Sequence, residues 1–151
     1  MYRIVTDTSA NLPWSYTEKN GLTVVPFSYR IDGKEYFEAA GTFDGPAYYN
    51  AIRRGSIATT SQIPPQRFVD AMTPLLEDED DILYVGMSSG ISGAFQSAVI
   101  ASHELNEKFP ERKIRLVDTL AASLGEGILV IKAVQMKADG ASLDETADTL
   151  E

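Results

Sequence analysis

The chain has 151 residues, of which 44% are hydrophobic and 23% are charged, the balance of a globular domain with a packed core. Its 13 Lys and Arg against 22 Asp and Glu give a net charge of −9, which disfavours binding to nucleic acid or to anionic membrane surfaces. The sequence has no cysteine and one histidine, which excludes disulfides, thiolate sites and imidazole metal clusters. No signal peptide or transmembrane segment is evident, so we expect a soluble cytoplasmic protein.

Strands and helices alternate along the first third of the chain. Residues 3–6 form an apolar run that predicts a strand, and residues 13–20 fit a helix with proline in its first turn. Residues 22–29 are rich in β-forming side chains, and Asp32-Gly33 predicts the tight turn of a hairpin. A short helix is expected over residues 44–55, capped by its first residue and ended by glycine.

The middle of the chain repeats this alternation more strongly. A polar loop over residues 59–65 leads into an amphipathic helix, which is followed by a solvated acidic connector over 77–81. Residues 82–87 are the clearest buried strand in the sequence. The loop that follows, residues 88–93, opens a long helix that we expect to end near Phe109, before a proline.

The last part of the chain predicts a strand over residues 114–117, a loop of small residues over 118–127 and a helix over 128–138. Ser142 and Glu145 form a capping box that opens one more helix. Because this helix runs into the final residue, we expect the chain to be part of a longer protein.

The alternation predicts an α/β fold: a mainly parallel sheet with helices on both faces, and a small antiparallel hairpin as an excursion. We interpret residues 1–151 as one α/β domain, the N-terminal portion of a larger two-domain fold. Parallel sheets present ligand sites at the carboxyl ends of their strands, so this topology indicates where function lies.

Four segments of the sequence are rich in serine and threonine. Three follow predicted strands, over residues 6–9, 88–93 and 118–123, and the fourth, over 59–62, precedes a helix. Hydroxyl groups and the free N–H groups of a helix's first turn favour an oxyanion. The alternative interpretation is that these residues are ordinary helix caps. Four such segments at one sheet edge favour an anion site.

Two aspartates, Asp7 and Asp118, lie within these segments. We expect them to accept hydrogen bonds from loop N–H groups or hydroxyls and so to hold those donors in place. The alternative role is to bind Mg²⁺ for phosphoryl transfer. That role is less favoured because no Lys or Arg lies within the loops to balance a phosphate.

Two familiar catalytic motifs are incomplete. Gly86 to Gly90 match the G-x-S-x-G nucleophile elbow, which would make Ser88 the nucleophile of a serine hydrolase. The one histidine, His103, lies eleven residues along the helix from Ser92, roughly 16 Å away at 1.5 Å per residue. The hydrolase alternative therefore needs a base from elsewhere. The same loop lacks the Lys-Ser/Thr ending of a phosphate-binding P-loop.

Several motifs together resemble the DegV family, bacterial fatty-acid-binding proteins with the EDD fold. They occur in the family's order and span nearly the whole chain: Thr6 to Pro13, Thr60-Ser61-Gln62, Ser88 to Ala98, and Val117 to Gly127. The family's chain is about twice as long, and its second half supplies the rest of the ligand tunnel.

The resemblance implies a carrier of one long-chain fatty acid rather than an enzyme, with no cofactor and no metal. The residues that it implies for the carboxylate are Thr60, Ser61, Ser89, Gly90 and Ser92. The residues expected in the supporting loops are Asp7, Thr8, Ser9, Ser88, Gly93, Asp118, Thr119 and Ser123. The resemblance places the acyl tail in an apolar tunnel. Independently of it, Trp14, Tyr48 and Tyr49 could line a ligand cavity, although aromatic residues at such spacings are more often part of the core. The implied partner is a separate fatty-acid kinase, which phosphorylates the carboxylate for phospholipid synthesis.

Overall fold

The structure is a computed structural model that describes residues 1–37 and 43–151. Within these ranges the strands are β1 (Tyr2–Asp7), β2 (Thr23–Val25), β3 (Ser28–Ile31), β4 (Lys34–Phe37), β5 (Ala58–Ser61), β6 (Asp81–Gly86) and β7 (Ile114–Asp118). The helices are α1 (Trp14–Lys19), α2 (Gly45–Arg53), α3 (Pro65–Glu77), α4 (Ala94–Lys108), α5 (Leu124–Ala138) and α6 (Leu143–Leu150). A 3₁₀ turn, Thr8–Ala10, follows β1 directly.

The main sheet is parallel throughout, in the order β2-β1-β6-β7. Its central strand β6 is buried from Ile82 to Gly86. A parallel strand covered on both faces needs a continuous apolar run, which is why this strand is so clear in the sequence. The predicted α/β class and mainly parallel sheet are confirmed.

Helices cover both faces of the sheet, as predicted. On one face α3 and α4 bury Phe68, Met72 and Leu105. On the other face α5 and α6 bury Val130 and Leu143. The caps are also as expected, since Asp44 Oδ1 accepts a hydrogen bond of 2.9 Å from the N–H of Ala47 and Ser142 forms the capping box of α6.

The antiparallel excursion is larger than the sequence predicts. β3 and β4 form the expected hairpin, but β5 also pairs antiparallel with β3, in the order β4-β3-β5. The prediction of a loop over residues 59–65 is therefore wrong at its start. Because β5 is exposed over most of its length, it carries no alternation of polar and apolar residues from which a strand could be predicted. Pro26 separates the predicted run 22–29 into strands of two different sheets.

Helix α5 begins at Leu124, four residues before the predicted start. Gly125 and Gly127 lower helix propensity and favour the prediction of a loop. In the folded chain, a Cβ on Gly127 would lie 2.6 Å from the carbonyl oxygen of Ala10. Close packing of α5 on the Thr8–Ala10 turn thus requires glycine at this position inside a helix.

No helix within the described residues is long and apolar enough to cross a membrane.

Candidate functional site

The carboxyl ends of β1, β6 and β7 lie side by side, and the loops that follow them are hydrogen-bonded to one another. The N–H of Ser88 donates to the carbonyl oxygen of Ala121 at 2.8 Å, which joins the loops after β6 and β7. The N–H of Met87 donates to Oδ2 of Asp7 at 3.3 Å, which joins the ends of β6 and β1. Three of the four hydroxyl-rich segments therefore meet at one edge of the parallel sheet.

Both aspartates accept hydrogen bonds from loop N–H groups, as the sequence analysis expected. Asp7 accepts from the N–H of Ser9 at 2.9 Å and from the hydroxyl of Tyr84 at 2.8 Å, in addition to Met87. Asp118 accepts from the N–H of Ser89 at 3.2 Å and of Leu120 at 3.1 Å. Among the described residues, no group of three or more His, Cys, Asp or Glu side chains is placed to hold a metal ion.

A cavity of about 320 Å³ lies where the β1 and β6 loops meet the end of β5. Its lining residues are Thr8, Ser9, Phe27, Thr60, Ser61, Gln62, Met87, Ile91 and Ser92. Three of the residues implied for the carboxylate, Thr60, Ser61 and Ser92, thus share one cavity with the β1 loop. The other two, Ser89 and Gly90, are exposed and lie outside this lining.

Of the cavity hydroxyls of Thr60, Ser61 and Ser92, only that of Ser92 binds an N–H group at the start of the helix that follows it. The N-cap residues of α3 and α4 are Pro64 and Gly93, and neither makes a side-chain cap. Ser92 Oγ accepts one hydrogen bond of 3.2 Å from the N–H of Ala94. The hydroxyls of Thr60 and Ser61 form no hydrogen bond with any described residue, so they can bind a ligand without losing a partner.

A second cavity of about 500 Å³ adjoins the first, and the two share Thr8, Phe27 and Thr60. Its apolar lining consists of Ala10, Leu12, Val24, Phe27, Tyr29, Phe43, Tyr48 and Tyr49. Tyr48 packs edge-on against both Tyr29 and Tyr49, with ring centroids 5.1 and 5.2 Å apart. Trp14 is 47% exposed and does not line this cavity. The smaller cavity thus has a hydroxyl rim, formed by Thr8, Ser9, Thr60, Ser61 and Ser92. This rim lies beside the apolar wall formed by the lining of the larger cavity.

Most of the other predicted residues connect the loops. Ser88 is buried, and its Oγ accepts from the N–H of Gly90 at 3.1 Å. Thr119 Oγ1 donates to the carbonyl oxygen of Gly86 at 2.8 Å, and Ser123 Oγ accepts from Nδ2 of Asn11 at 3.0 Å.

Gly93 has a different role, because a Cβ there would lie 2.1 Å from Oε1 of Gln62. Because Gly93 has no side chain, the side chain of Gln62 can pack directly against its backbone. Gly93 therefore allows the end of β5 to approach the loop after β6.

The nucleophile-elbow match has a packing explanation. A Cβ on Gly86 would lie 2.3 Å from the ring of Tyr84, so the glycine makes room for a buried tyrosine. Among the described residues, no His, Asp or Glu hydrogen-bonds to Ser88, and His103 is exposed on α4. The geometry thus provides no support for Ser88 as a nucleophile.

Sequence reasoning missed one residue of this edge, Glu126. It is completely buried in the first turn of α5, where its carboxyl accepts hydrogen bonds from the hydroxyls of Thr6, at 3.2 Å, and Ser9. Burial and the neighbouring charge of Asp7 raise the pKa of Glu126 to about 8. Nothing in the sequence indicates that Glu126 is buried. An acidic residue in the first turn of a helix is usually exposed to solvent, where it interacts favourably with the helix dipole.

The fold and the cavities define an α/β protein with ligand-sized cavities at the carboxyl edge of its parallel sheet. The chain belongs to the DegV family: the family model described as "Uncharacterised protein, DegV family" matches residues 1–151. The resemblance found in the sequence is confirmed.

Two relatives illustrate the match. A DegV domain-containing protein of Clostridium perfringens is 41% identical over 143 residues, which are 94% of this chain and 49% of the relative. A DegV domain-containing protein of Lactococcus lactis is 38% identical over 151 residues, which are 99% of this chain and 52% of the relative. The chain thus spans about half the length of the curated relatives it matches.

Solved structures share this fold. A DegV family protein from Thermus thermophilus, described by its fatty-acid binding, has a TM-score of 0.86 and 33% identity over 99% of this chain and 51% of that one. A protein from Thermotoga maritima, described as revealing a fatty-acid-binding function, has a TM-score of 0.87 and 28% identity over 99% of this chain and 53% of that one.

Proposed function

We propose that this chain binds a long-chain fatty acid, with the carboxylate at the smaller cavity and the acyl tail in the larger one. The observation that carries the proposal is the pair of hydroxyls, of Thr60 and Ser61, that have no partner among the described residues and line a cavity continuous with an apolar one. Two proteins of the same fold, a DegV family protein from Thermus thermophilus and a protein from Thermotoga maritima, are described as fatty-acid-binding.

The head group is held by neutral donors in this proposal. Thr60, Ser61 and Ser92 donate from the cavity rim. The backbone N–H groups of Ser89 and Gly90 already donate to Asp118 and to Ser88 Oγ, so these two residues hold the turn between β6 and α4. Hydroxyl and amide donors are compatible with the net charge of −9, because a carboxylate can be bound by oriented dipoles without a salt bridge. A carrier must also release its ligand, which weaker, neutral donors permit.

The acyl tail contributes most of the affinity. Burial of each CH₂ is worth about 0.8 kcal/mol, so a dozen methylenes outweigh the few hydrogen bonds of the head group. The aromatic rings of Tyr29, Tyr48 and Tyr49 supply an apolar wall next to the hydroxyl rim. The head group then fixes the direction of the chain, and the tail fixes the strength of binding.

The test is a comparison of stearic acid with stearyl alcohol, measured by isothermal titration with the chain and its variants. We expect Ser61→Ala combined with Ser92→Ala to weaken binding of the acid about a hundredfold or more, since each of the two charge-assisted hydrogen bonds is worth about 1.5–3 kcal/mol. The alcohol should be affected less. Ser15→Ala, on an exposed position of α1, is the matched control. A folded chain that binds neither ligand would overturn the proposal.

We also propose that the bound acid is presented to a separate kinase, as the family resemblance implies. The kinase would transfer the γ-phosphoryl group of ATP to a carboxylate oxygen, giving the acyl phosphate and ADP. Acyl phosphate trapped with hydroxylamine should therefore not form from the loaded chain and MgATP alone. Formation of the hydroxamate under those conditions would contradict the carrier role.

A further inference from the structure

The buried carboxyl of Glu126 lies directly behind the ligand cavities. Its Oε1 accepts from the hydroxyl of Thr6 at 3.2 Å, its Oε2 accepts from the hydroxyl of Ser9, and the charge of the nearby Asp7 contributes to its raised pKa. The close approach that Gly127 permits brings α5 against the Thr8–Ala10 turn. One side chain therefore joins the start of α5 to the end of β1 and to the turn that follows it.

That turn is part of both cavities. Thr8 lines both, Ser9 lines the smaller and Ala10 the larger. Thr8 Oγ1 also accepts a hydrogen bond of 3.1 Å from the N–H of Phe27, which lines both cavities as well. A displacement of the turn would thus move the hydroxyl rim and the apolar wall at once.

We propose that Glu126, in its protonated form, is a positioning residue for the ligand site: it holds the Thr8–Ala10 turn through Ser9 and Asp7 and makes ligand binding dependent on pH. The proposal rests on the fatty-acid binding proposed above for these cavities. Glu126 is not itself among the residues that line either cavity, but it contacts the lining residues Thr6 and Ser9 from behind.

Burial and the charge of Asp7 favour the protonated form of Glu126 and outweigh the two hydroxyls, of Thr6 and Ser9, that donate to it. Asp7 accepts from two backbone N–H groups and one hydroxyl, as a carboxylate does, and a protonated Glu126 can donate to it. Ionisation of Glu126 would place a second negative charge beside Asp7 in a buried site, which is strongly unfavourable.

The other titratable groups near this pair do not change this argument. Tyr84, on β6, hydrogen-bonds to Asp7, and burial raises the pKa of its hydroxyl well above the usual value, so it stays neutral. On α6, which packs against α5, Asp144 and Asp148 are paired with Arg115, and Glu145 caps the helix through Ser142. The acidic groups of α6 are therefore engaged with Arg115 or with the helix's own cap, and Asp7 is the acidic side chain beside Glu126.

The test measures stearate affinity from pH 6.5 to 9.5. In the unmodified chain the apparent dissociation constant should be flat below about pH 8 and then rise up to tenfold per pH unit, because only the protonated form is competent. Glu126→Gln keeps a donor for Asp7 and an acceptor for Ser9, so its profile should be flat throughout. Glu107→Gln, the same change at an exposed position of α4, should keep the profile of the unmodified chain.

A second readout needs no ligand. Amide hydrogen exchange at Ser9 at pH 7 should be slow in the unmodified chain and in Glu126→Gln, and faster in Glu126→Ala. The proposal is overturned if Glu126→Gln keeps the pH dependence of the unmodified chain, or if Glu126→Ala leaves the Ser9 amide equally protected. If no form binds stearate at any pH, the proposed function fails, and the exchange at Ser9 still decides the role of Glu126. If Glu126→Ala does not fold, the Gln variant decides it.

Discussion

The parallel sheet and the antiparallel excursion are built in opposite ways. Tyr84 and Val85, at the centre of the parallel sheet, are completely buried between helices on both faces. In the excursion and in α2, which lies between β4 and β5 in the chain, Phe37 and Tyr49 are 52% and 56% exposed. The ring of Tyr29 contacts those of Tyr36 and Tyr48. The comparison indicates different roles: the first region provides stability and fixes the loops, and the second forms the apolar wall proposed above for the acyl tail.

Truncation of a ring in each region tests this division most strongly. Phe68→Ala removes a completely buried ring from under the parallel sheet, and we expect a loss of about 3–5 kcal/mol in the free energy of unfolding. Tyr49→Ala, on α2 next to the excursion, should cost less than about 1 kcal/mol. Urea denaturation of both variants measures the difference. Equal losses would show that the excursion is part of the stabilising core.

Glycine substitutions at the edge of the parallel sheet should give the next largest effect. A methyl group on Gly86 would lie 2.3 Å from the ring of Tyr84, so Gly86→Ala should cost about 1–3 kcal/mol through overpacking. At Gly90 the nearest atom to an added Cβ is Ser88 Oγ, at 3.4 Å, and Gly90→Ala should be close to neutral. Thermal unfolding of the two variants tests whether Gly86, the first glycine of the G-x-S-x-G match, is needed for packing. Equal melting temperatures would contradict this.

The buried acid gives the parallel-sheet region a pH dependence of its own. With a folded pKa of about 8 against an ordinary value of 4.5, Glu126 keeps its proton in the folded chain but loses it on unfolding between these pH values. The folded state then binds more protons, so stability falls as pH rises from 4.5 to 8, by up to about 1.4 kcal/mol per pH unit. Above pH 8 this effect levels off.

Unfolding free energies at several pH values measure this slope, with Glu126→Gln as the reference. The Gln variant lacks the ionisation and should lose less stability over the same range. The exposed control Glu107→Gln should follow the unmodified chain. Parallel curves for the unmodified chain and Glu126→Gln would show that the carboxyl is ionised in the folded state.

The smallest effect should come from the contact that ties the two regions together. The guanidinium of Arg67, on α3, lies 3.8 Å from the centre of the Phe37 ring, and its Nη1 donates to the carbonyl oxygen of Pro26 at 3.1 Å. Arg67→Met should cost about 0.5–1 kcal/mol and should speed amide exchange in β4. Arg54→Met, on an exposed position after α2, is the control. Unchanged exchange in β4 would mean that the excursion holds its position without this contact.

The sequence predicts the buried region better than the exposed one, for a physical reason. Strand β6 and helix α3 are visible because burial forces apolar residues into continuous or helical patterns. Strand β5 is exposed and held by pairing with β3, which leaves no pattern in its own residues. The start of α5 depends on contact between Gly127 and Ala10, which are 117 positions apart in the chain. Local helix propensity, lowered by glycine, predicts a loop there instead.

The site follows the same rule. Parallel topology alone predicts that the loops after β1, β6 and β7 meet, and they do. Which hydroxyls of a loop face the cavity depends on the turn geometry, so the sequence cannot separate Ser92, in the lining, from Ser89, which is outside it. The burial of Glu126 depends on the same close packing of α5, and no local pattern reports it.

The most direct test of the central claim is a two-dimensional NMR titration of the ¹⁵N-labelled chain with stearate. If the hydroxyl rim binds the head group, the largest amide shifts will be at Thr8, Thr60, Ser61 and Ser92. Shifts confined instead to the exposed apolar positions of α5, Leu124 and Ile128, or no shifts in a folded chain, would contradict it.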